Sequence, residues 1–277
     1  MTLEYQLLGP GIGVEVLNYD PRSATAEHHQ KLYDLWLKYH VLVIRGLPMN
    51  EQELIAFGQH FGSIEKARKK SPLAEHDEIM VISNIRADGQ PQGALPDGEL
   101  YWHFDRIHQS VPNKAGVLHA IEVPTHGGET RFADMCQAWD TLPDSLKTAA
   151  LGRSALNTYQ YGQTNAENKV LSEDSPQAVH PVVRHLKETG RNALYICRLM
   201  TDAIEDMDAE AGQHLLQKLF DHSEQEAFVY EHQWQPGDTL IWDNRCVLHS
   251  RNDFPADQRR LLKRVTVGDH EAPILAT

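Results

Sequence analysis

The segment YWHFDRIH, residues 101–108, contains two metal-binding residue types, His103 and Asp105, two positions apart. Side chains i and i+2 of a strand point to the same side, so a strand here would direct both groups at one ion. One more histidine would complete the 2-His-1-carboxylate triad, which holds non-haem Fe(II) and leaves coordination positions open. His249, in the predicted strand of IWDNRCVLHS, is the strongest candidate. A strand histidine is also often a hydrogen-bonded structural residue, so the spacing alone leaves both interpretations open.

Two arginines follow the candidate third ligand in the segment QRRLLKR. Arg260 lies eleven residues after His249, and Arg264 lies four residues further on. Arginine suits a partly buried anion because its planar fork stays charged and pairs bidentately with a carboxylate. The alternative is a pair of surface arginines in ordinary ion pairs.

The composition restricts the partners and the compartment. The formal net charge of -13 over 277 residues opposes binding to nucleic acid, because such binding depends on neutralising phosphates with Lys and Arg. Cys136, Cys197 and Cys246 form neither a CxxC motif nor a disulfide pattern, which suits a reducing compartment. No signal peptide is recognisable, and no segment reaches the roughly 18 apolar residues of a membrane span. We therefore expect a cytoplasmic protein with no nucleic-acid or membrane partner.

Hydrophobic periodicity predicts helices early in the chain and short strands late in it. A helical pattern changes at His40 into the β-branched run 41–44, and Asn50 with Glu53 forms a capping-box pattern. The last third contains four predicted strands, AFVYEHQW, TLIWD, CVLHS and LLKRVTV. Short strands at this spacing favour a barrel or a sandwich. No linker is evident, so we expect one domain over residues 1–277.

Two long loops are predicted near the candidate ligands. The first is a Gly/Pro-rich segment of about fifteen residues between the strand IMVISN and His103, and the second is the polar segment 157–178. Loops of this length inside a compact domain are usually functional or mobile. The second loop is a candidate lid.

Over nearly its whole length the chain resembles the taurine dioxygenase and 2,4-D dioxygenase family of Fe(II)- and 2-oxoglutarate-dependent oxygenases. The resemblance rests on the order and spacing of LGPGIGVEV, YHVLVIRG, FGSIE, WHFD, PTHGGETRFADM, HPVVR, WQPGDTLIWDNRCVLH and QRRLLKR. It implies a mainly β fold with flanking helices, the double-stranded β-helix or jelly roll. The predicted strands agree with that fold without selecting it uniquely.

The resemblance also implies roles for individual residues. The implied iron ligands are His103, Asp105 and His249. Thr130 and Arg260 correspond to the residues that hold the distal carboxylate of 2-oxoglutarate. Arg264 corresponds to an arginine that helps to fix an acidic substrate or its neighbouring network.

The implied reaction consumes 2-oxoglutarate and dioxygen and yields succinate and CO2 while a C–H bond of a small anionic substrate is oxidised. Hydroxylation is the usual outcome and desaturation is the alternative; the sequence does not decide between them. Relatives commonly form dimers or tetramers, so a homo-oligomer stays open.

Departures from the taurine enzymes narrow the substrate. Ala67 stands near the position where those enzymes carry a sulfonate-binding histidine, so taurine is not expected. The segment WHFDRIHQSVPNKAGVLHA, together with FADM, resembles the subgroup that oxidises isocyanide derivatives of tyrosine in isonitrile biosynthesis. That likeness implies an aromatic acid derived from an amino acid. Arg106 and His108 would then line the substrate pocket, and Tyr159 and Tyr161 would stack on the substrate; simple packing is the alternative for all four.

Two other classes of protein compete with the oxygenase. A zinc hydrolase can also use two histidines and an aspartate to activate water, but it does not need Thr130 and Arg260 as an anchor for a second acid. A non-catalytic jelly-roll binding protein would typically have lost a ligand, and all three candidates are present.

Overall fold

The helices and strands come from a computed structural model that describes residues 3–9, 11–160, 162, 164–165, 169 and 174–277. The helices within these residues are α1 (Ala26–Tyr39), α2 (Glu51–Gln59), α3 (Met135–Asp140), α4 (Asp144–Ala150) and α5 (Ala209–Ser223). None of the helices in these ranges is both long enough and apolar enough to cross a membrane.

Apart from the 3-10 helix Glu226–Phe228, twenty short strands make up the rest of the regular structure in the described ranges. They are β1 (Tyr5–Leu7), β2 (Val14–Val16), β3 (Val41–Ile44), β4 (Ile64–Glu65), β5 (Ile79–Ser83), β6 (Arg86–Ala87), β7 (Gln90–Pro91), β8 (Leu100–His103), β9 (Ala115–Glu122), β10 (Thr130–Asp134), β11 (Ser154–Thr158), β12 (Gln177–Pro181), β13 (Val183–Leu186), β14 (Arg191–Leu194), β15 (Thr201–Ile204), β16 (Val229–His232), β17 (Thr239–Asp243), β18 (Val247–Arg251), β19 (Leu261–Val267) and β20 (Ile274–Leu275). The prediction of a mainly β fold with few helices is confirmed.

Two sheets form the centre of the molecule. The larger has eight strands in the order β1-β2-β3-β17-β9-β19-β4, with β5 also paired to β19. The smaller has four strands in the order β16-β10-β18-β8. The pairs within the smaller sheet are antiparallel, as are β3, β17, β9 and β19 of the larger sheet.

Alternating side chains of the larger sheet build two separate cores. Val41 and Val43 of β3 point into the core between the two sheets, whereas Leu42 and Ile44 point into the core beneath α1 and α2. Strand β17 alternates in the same way, because Leu240 and Trp242 face the first core and its middle residue faces the second. This period of two follows from the pleat, and burial of both faces explains why the strands read as continuous apolar runs.

The helix ends agree with the sequence patterns. Asn50 caps α2 by accepting a hydrogen bond from the Glu53 amide at 2.9 Å, and the Glu53 carboxylate accepts from the Asn50 amide at 2.9 Å. His40 ends α1 with a left-handed φ of 64° and turns the chain directly into β3. The predicted change from helix to strand at this residue is confirmed.

Two local predictions were wrong. Asp105 is not on a strand, because β8 ends at His103 and the chain then enters a turn. The long loop before β8 contains a hairpin of β6 and β7. The hairpin was not predicted because its strands are short and polar. The candidate lid falls partly outside the described residues.

Candidate metal and carboxylate site

His103, Asp105 and His249 come together between the two sheets although the chain separates the last from the first by more than a hundred residues. Strand pairing sets His249 of β18 directly opposite His103 at the end of β8. Nε2 of His103 lies 3.8 Å from Oδ1 of Asp105, and Nε2 of His249 lies 3.5 Å from Oδ2. One ligand atom from each residue lies within 4.8 Å of the others, and all three side chains are buried.

The first histidine is oriented by the backbone. Nδ1 of His103 lies 2.8 Å from the carbonyl oxygen of Tyr101, which only accepts, so Nδ1 carries the proton. The Nε2 lone pair then faces Asp105. Histidines that bind metals usually donate their other ring N–H in this way, which fixes the tautomer and the ring orientation.

Asp105 is placed by the side chain of Asn244, which lies in the turn between β17 and β18. The Asn244 amide oxygen accepts from the Asp105 backbone N–H at 2.9 Å, and its NH2 group donates to the Asp105 carbonyl at 3.0 Å. The same NH2 group donates to the carbonyl of Asn113 at 3.0 Å. Asn244 therefore substitutes for strand pairing at the point where β8 has ended.

The protonation states suit a divalent cation. Burial lowers the pKa of His103, and burial together with the neighbouring His103 lowers the pKa of His249 well below its usual value. Burial opposes ionisation of Asp105, but the charge and hydrogen bonds of Arg264, together with the neighbouring His249 and His103, outweigh it and hold the pKa of this carboxyl well below its usual range. Arg264 forks onto the carboxylate, with one N–H···O contact of 3.1 Å. Two neutral imidazoles and a carboxylate are the ionisation states that metal binding requires, so this donor set fits Fe(II).

A small cavity between the sheets contains the triad and a cationic end. The described residues that line it are Ile82, Leu95, Leu100, His103, Asp105, Leu118, Thr130, Trp242, His249, Arg251, Arg260, Leu262 and Arg264. Its walls are therefore largely apolar, with three guanidinium groups and one hydroxyl.

Thr130, the first residue of β10, and Arg260, which directly precedes β19, line the same cavity. Oγ1 of Thr130 accepts a hydrogen bond from Nε1 of Trp234 at 2.9 Å. The Arg260 guanidinium donates to the carbonyl of Gly128 at 3.3 Å, and burial lowers the pKa of Arg260 to about 9. Gly128 has a φ of +71°, and a Cβ here would lie 3.1 Å from Nε of Arg260, so this glycine lets the arginine approach. Among the described residues, no carboxylate pairs with Arg260 within 4.0 Å.

Arg251 belongs to the same cavity and was not anticipated from the sequence. It lies two residues after His249 on β18, so the pleat points both side chains into the cavity. The spacing His-x-Arg in the sequence could have indicated that Arg251 shares a face of the strand with His249. Strand pairing sets Arg251 opposite Thr130.

Of the residues predicted to contact the substrate, Arg264 lines the cavity, whereas Arg106, His108 and Tyr159 are not among its described lining residues. Arg106, which has a φ of +57°, forms an ion pair with Glu65. His108 stacks on Tyr159 with ring centroids 4.6 Å apart, and burial with the charges of neighbouring arginines lowers the pKa of His108 to about 4. Tyr161 lies outside the described residues.

The basic cluster at residues 66–70 is solvated. Lys66 and Lys70 both pair with Asp77, and all three side chains are about half exposed or more. It contributes nothing to the cavity.

A second group of metal-binding residue types lies at the C-terminal end of α1 and consists of His40, Cys136 and Cys246. All three are buried, and one ligand atom from each lies within 4.8 Å of the others. Nε2 of His40 accepts from Arg191 at 3.1 Å, because a guanidinium only donates. Nδ1 of a neutral His40 therefore carries the proton and faces Sγ of Cys246 at 3.4 Å. In this arrangement Nδ1 presents a proton to Cys246, so the contacts favour a hydrogen-bonded structural group.

The sequence is similar to a known family of dioxygenases. Residues 4–266 match the family described as taurine catabolism dioxygenase TauD, TfdA. The chain is 32% identical over 256 residues to pentalenolactone F synthase of Streptomyces arenae, with 86% of this chain and 85% of the relative covered. It is 34% identical over 244 residues to the alpha-ketoglutarate-dependent 2,4-dichlorophenoxyacetate dioxygenase of Cupriavidus pinatubonensis, with 83% and 84% covered.

Solved structures show the same fold. AAD-2 in complex with Mn(II) and N-oxalylglycine superposes with a TM-score of 0.84 at 26% identity, covering 99% of this chain and 100% of that one. A taurine dioxygenase from Burkholderia xenovorans superposes with a TM-score of 0.82 at 22% identity, covering 98% and 92%. The chain belongs to the TauD, TfdA family of Fe(II)- and 2-oxoglutarate-dependent dioxygenases.

Proposed function

We propose that His103, Asp105 and His249 hold Fe(II) in this chain and that Thr130 and Arg260 hold the distal carboxylate of 2-oxoglutarate. The observation that carries the proposal is the cavity itself, because one small space contains both the triad and the buried cationic end. We further propose that residues 1–277 form one domain with the jelly-roll fold. The face-to-face packing of the two sheets around a shared core supports this.

When Fe(II), 2-oxoglutarate and dioxygen are bound, they supply the oxidising power that breaks a C–H bond and releases succinate and CO2. The chain provides the setting for that chemistry. Arg264 keeps Asp105 ionised and lies over the ring of Trp242, with its guanidinium carbon 5.2 Å from the ring centroid. Trp242 packs against His249 with centroids 4.8 Å apart and keeps water from one side of the ligand. These contacts support a role for Arg264 in the network around the ligand Asp105.

The substrate class follows from the walls of the cavity and from the relatives. Leucine, isoleucine and tryptophan side chains form its apolar part, which suits an apolar substrate body. The relatives include enzymes named for 2,4-dichlorophenoxyacetate and (S)-phenoxypropionate. We propose a small organic acid with an apolar body. The more specific substrate, tyrosine isocyanide in isonitrile biosynthesis, stays a prediction and is tested in the substrate panel described below.

The experiment is a succinate assay on the purified protein with Fe(II), 2-oxoglutarate, air and a panel of phenoxyacetates, phenylalkanoic acids and tyrosine isocyanide. We expect at least one acid to stimulate succinate formation with Fe(II) and none to do so with Zn(II). His249→Ala should abolish the stimulation, and His214→Ala, which alters an exposed histidine of α5, should not.

Ester or amide hydrolysis with Zn(II) and without 2-oxoglutarate would instead establish the zinc hydrolase. Binding of an acid from the panel with no turnover under any metal would establish the non-catalytic binding protein.

A further inference from the structure

Arg251 is a buried cation at the cosubstrate end of the cavity. It is only 5% exposed, and it shares one face of β18 with His249. It stands directly across the strand pair from Thr130. Opposite residues of an antiparallel pair have Cβ atoms about 5 Å apart. The side chains of Thr130 and Arg251 therefore extend from adjacent positions on the sheet.

The ends of the Arg251 guanidinium bind the backbone that covers the cavity. One terminal NH2 group donates to the carbonyl of Leu95 at 2.9 Å, and the other donates to the carbonyls of Asp97 at 3.1 Å and Gly98 at 2.5 Å. The segment 95–98 is therefore tied to β18 through one side chain. Leu95 itself lines the cavity, so the segment forms part of its wall.

Nε of Arg251 remains without a partner. It is buried, and no hydrogen-bond acceptor for it exists among the described residues. Asp97 and Asp253 exert a distant attraction on this guanidinium, but within the described ranges neither forms an ion pair with it. A buried N–H without an acceptor costs free energy, so its presence points to a ligand that accepts from it.

Arg260, which lines the same cavity, also has a buried Nε–H group without an acceptor in the described part of the chain. Both guanidinium groups lie over the ring of Phe254, with their central carbons 5.4 Å and 5.7 Å from the ring centroid. Two like charges in one water-excluded space repel each other strongly unless an anion lies between them.

We propose that Arg251 is a second guanidinium for the distal carboxylate of 2-oxoglutarate, which it binds together with Arg260 and Thr130. This inference rests on the proposed function and adds a residue and a consequence to it. Because Arg251 also holds three carbonyls of the segment 95–98, the bound cosubstrate fixes that wall of the cavity. An empty cosubstrate pocket leaves the wall held by a guanidinium whose charge is uncompensated.

The direct test compares two α-keto acids. 2-Oxopentanoate equals 2-oxoglutarate except that a methyl group replaces the distal carboxylate. We would measure dissociation constants for both acids anaerobically with Mn(II) in place of iron. The wild-type protein should prefer 2-oxoglutarate, and Arg251→Gln should reduce its affinity for 2-oxoglutarate roughly 10- to 100-fold while leaving that for 2-oxopentanoate almost unchanged. Arg259→Gln, which alters an exposed neighbour paired with Glu122, is the matched control and should keep the full preference.

A second measurement separates carboxylate binding from a merely structural role. Hydrogen exchange of the segment 94–99 should slow when N-oxalylglycine and Mn(II) bind to the wild-type protein. Arg251→Lys keeps the charge but cannot reach three carbonyls at once, because an ammonium is compact and lacks the planar fork. This variant should keep part of the preference for 2-oxoglutarate and lose the slowing of exchange.

The outcomes are distinct. If the wild-type protein does not bind 2-oxoglutarate, the proposed function fails. If Arg260→Gln loses the preference and Arg251→Gln or Arg251→Lys keeps it in full, the proposed function stands and this inference is overturned. Should Arg251→Gln not fold, the lysine variant alone decides the matter by the same two readouts.

Discussion

At the scale of single residues, the candidate site depends on groups that orient the ligands as much as on the ligands. The Tyr101 carbonyl fixes the tautomer of His103, and Asn244 holds both backbone polar groups of Asp105. Arg264 and the two histidine ligands together keep the carboxylate ionised against the cost of burial. The three candidate ligands were predictable from the sequence. The hydrogen bonds that position Asp105 were not, because they depend on a turn that places Asn244 beside the end of β8.

We expect Asn244→Ala to lower the affinity for Fe(II) about 10- to 100-fold, because loss of a group that positions a ligand has effects of this size. The Asp105 backbone would lose both of its bonds to the side chain. Anaerobic titration with Fe(II) measures the affinity. Asn252→Ala removes an amide that contacts Glu129 and Glu231 outside the cavity and serves as the control. Equal affinities in the two variants would refute the positioning role of Asn244.

At the scale of elements, much of the architecture was predictable because local signals were strong. The capping box at Asn50 and the change from helix to strand at His40 were confirmed by the structure. The hairpin of β6 and β7 was missed because its strands are two residues long and exposed. Strand β14 ends at Leu194, and the buried residues after it leave the sheet.

The β9 and β17 pair makes one glycine indispensable. Gly116 stands opposite Trp242, and a Cβ on it would lie 2.3 Å from the indole ring. Gly116→Ala should therefore lower the free energy of unfolding by about 1–3 kcal/mol, since the packed core must shift. Gly212→Ala in α5 places its Cβ 3.8 Å from the nearest atom and should be neutral or stabilising by up to about 1 kcal/mol. Urea unfolding of both variants measures this, and equal stabilities would contradict the packing argument.

The same pair of strands contains a histidine that makes stability depend on pH. Nε2 of His119 accepts from the Met49 amide at 3.3 Å and Nδ1 donates to Thr239 at 2.8 Å, so the ring is neutral. Burial, with the charge of Lys263, lowers the pKa of His119 to about 4. The unfolded chain takes up a proton below about pH 6.5, whereas the folded chain does so only near pH 4. Stability is therefore full above pH 6.5 and is lost as the pH falls from there towards 4.

For His119 the expected loss between pH 7 and pH 5 is about 2 kcal/mol in the free energy of unfolding. His119→Gln should reduce the pH dependence by that amount. Urea unfolding at the two pH values gives the difference, and an unchanged pH dependence in the variant would contradict the assignment.

At the scale of the whole molecule, an acidic chain encloses a cationic pocket. The formal net charge is -13, yet the described lining of the cavity contains three arginines and one carboxylate. Family resemblance predicted roles for Arg260 and Thr130, whereas the residues alone are equally consistent with a surface ion pair and an ordinary strand residue, respectively. Arg251 went unrecognised because its place beside Thr130 depends on the pairing of β10 with β18, a contact between residues more than a hundred positions apart.

The central claim is that one cavity holds Fe(II) on the triad and 2-oxoglutarate on Arg260. The most direct measurement is the visible charge-transfer absorption of the Fe(II) and 2-oxoglutarate chelate, recorded without oxygen on the purified protein. We expect a band in the wild type, no band with His249→Ala, and with Arg260→Gln a band that needs roughly 10- to 100-fold more 2-oxoglutarate. Absence of the band from a wild-type protein that binds one iron per chain would contradict the account.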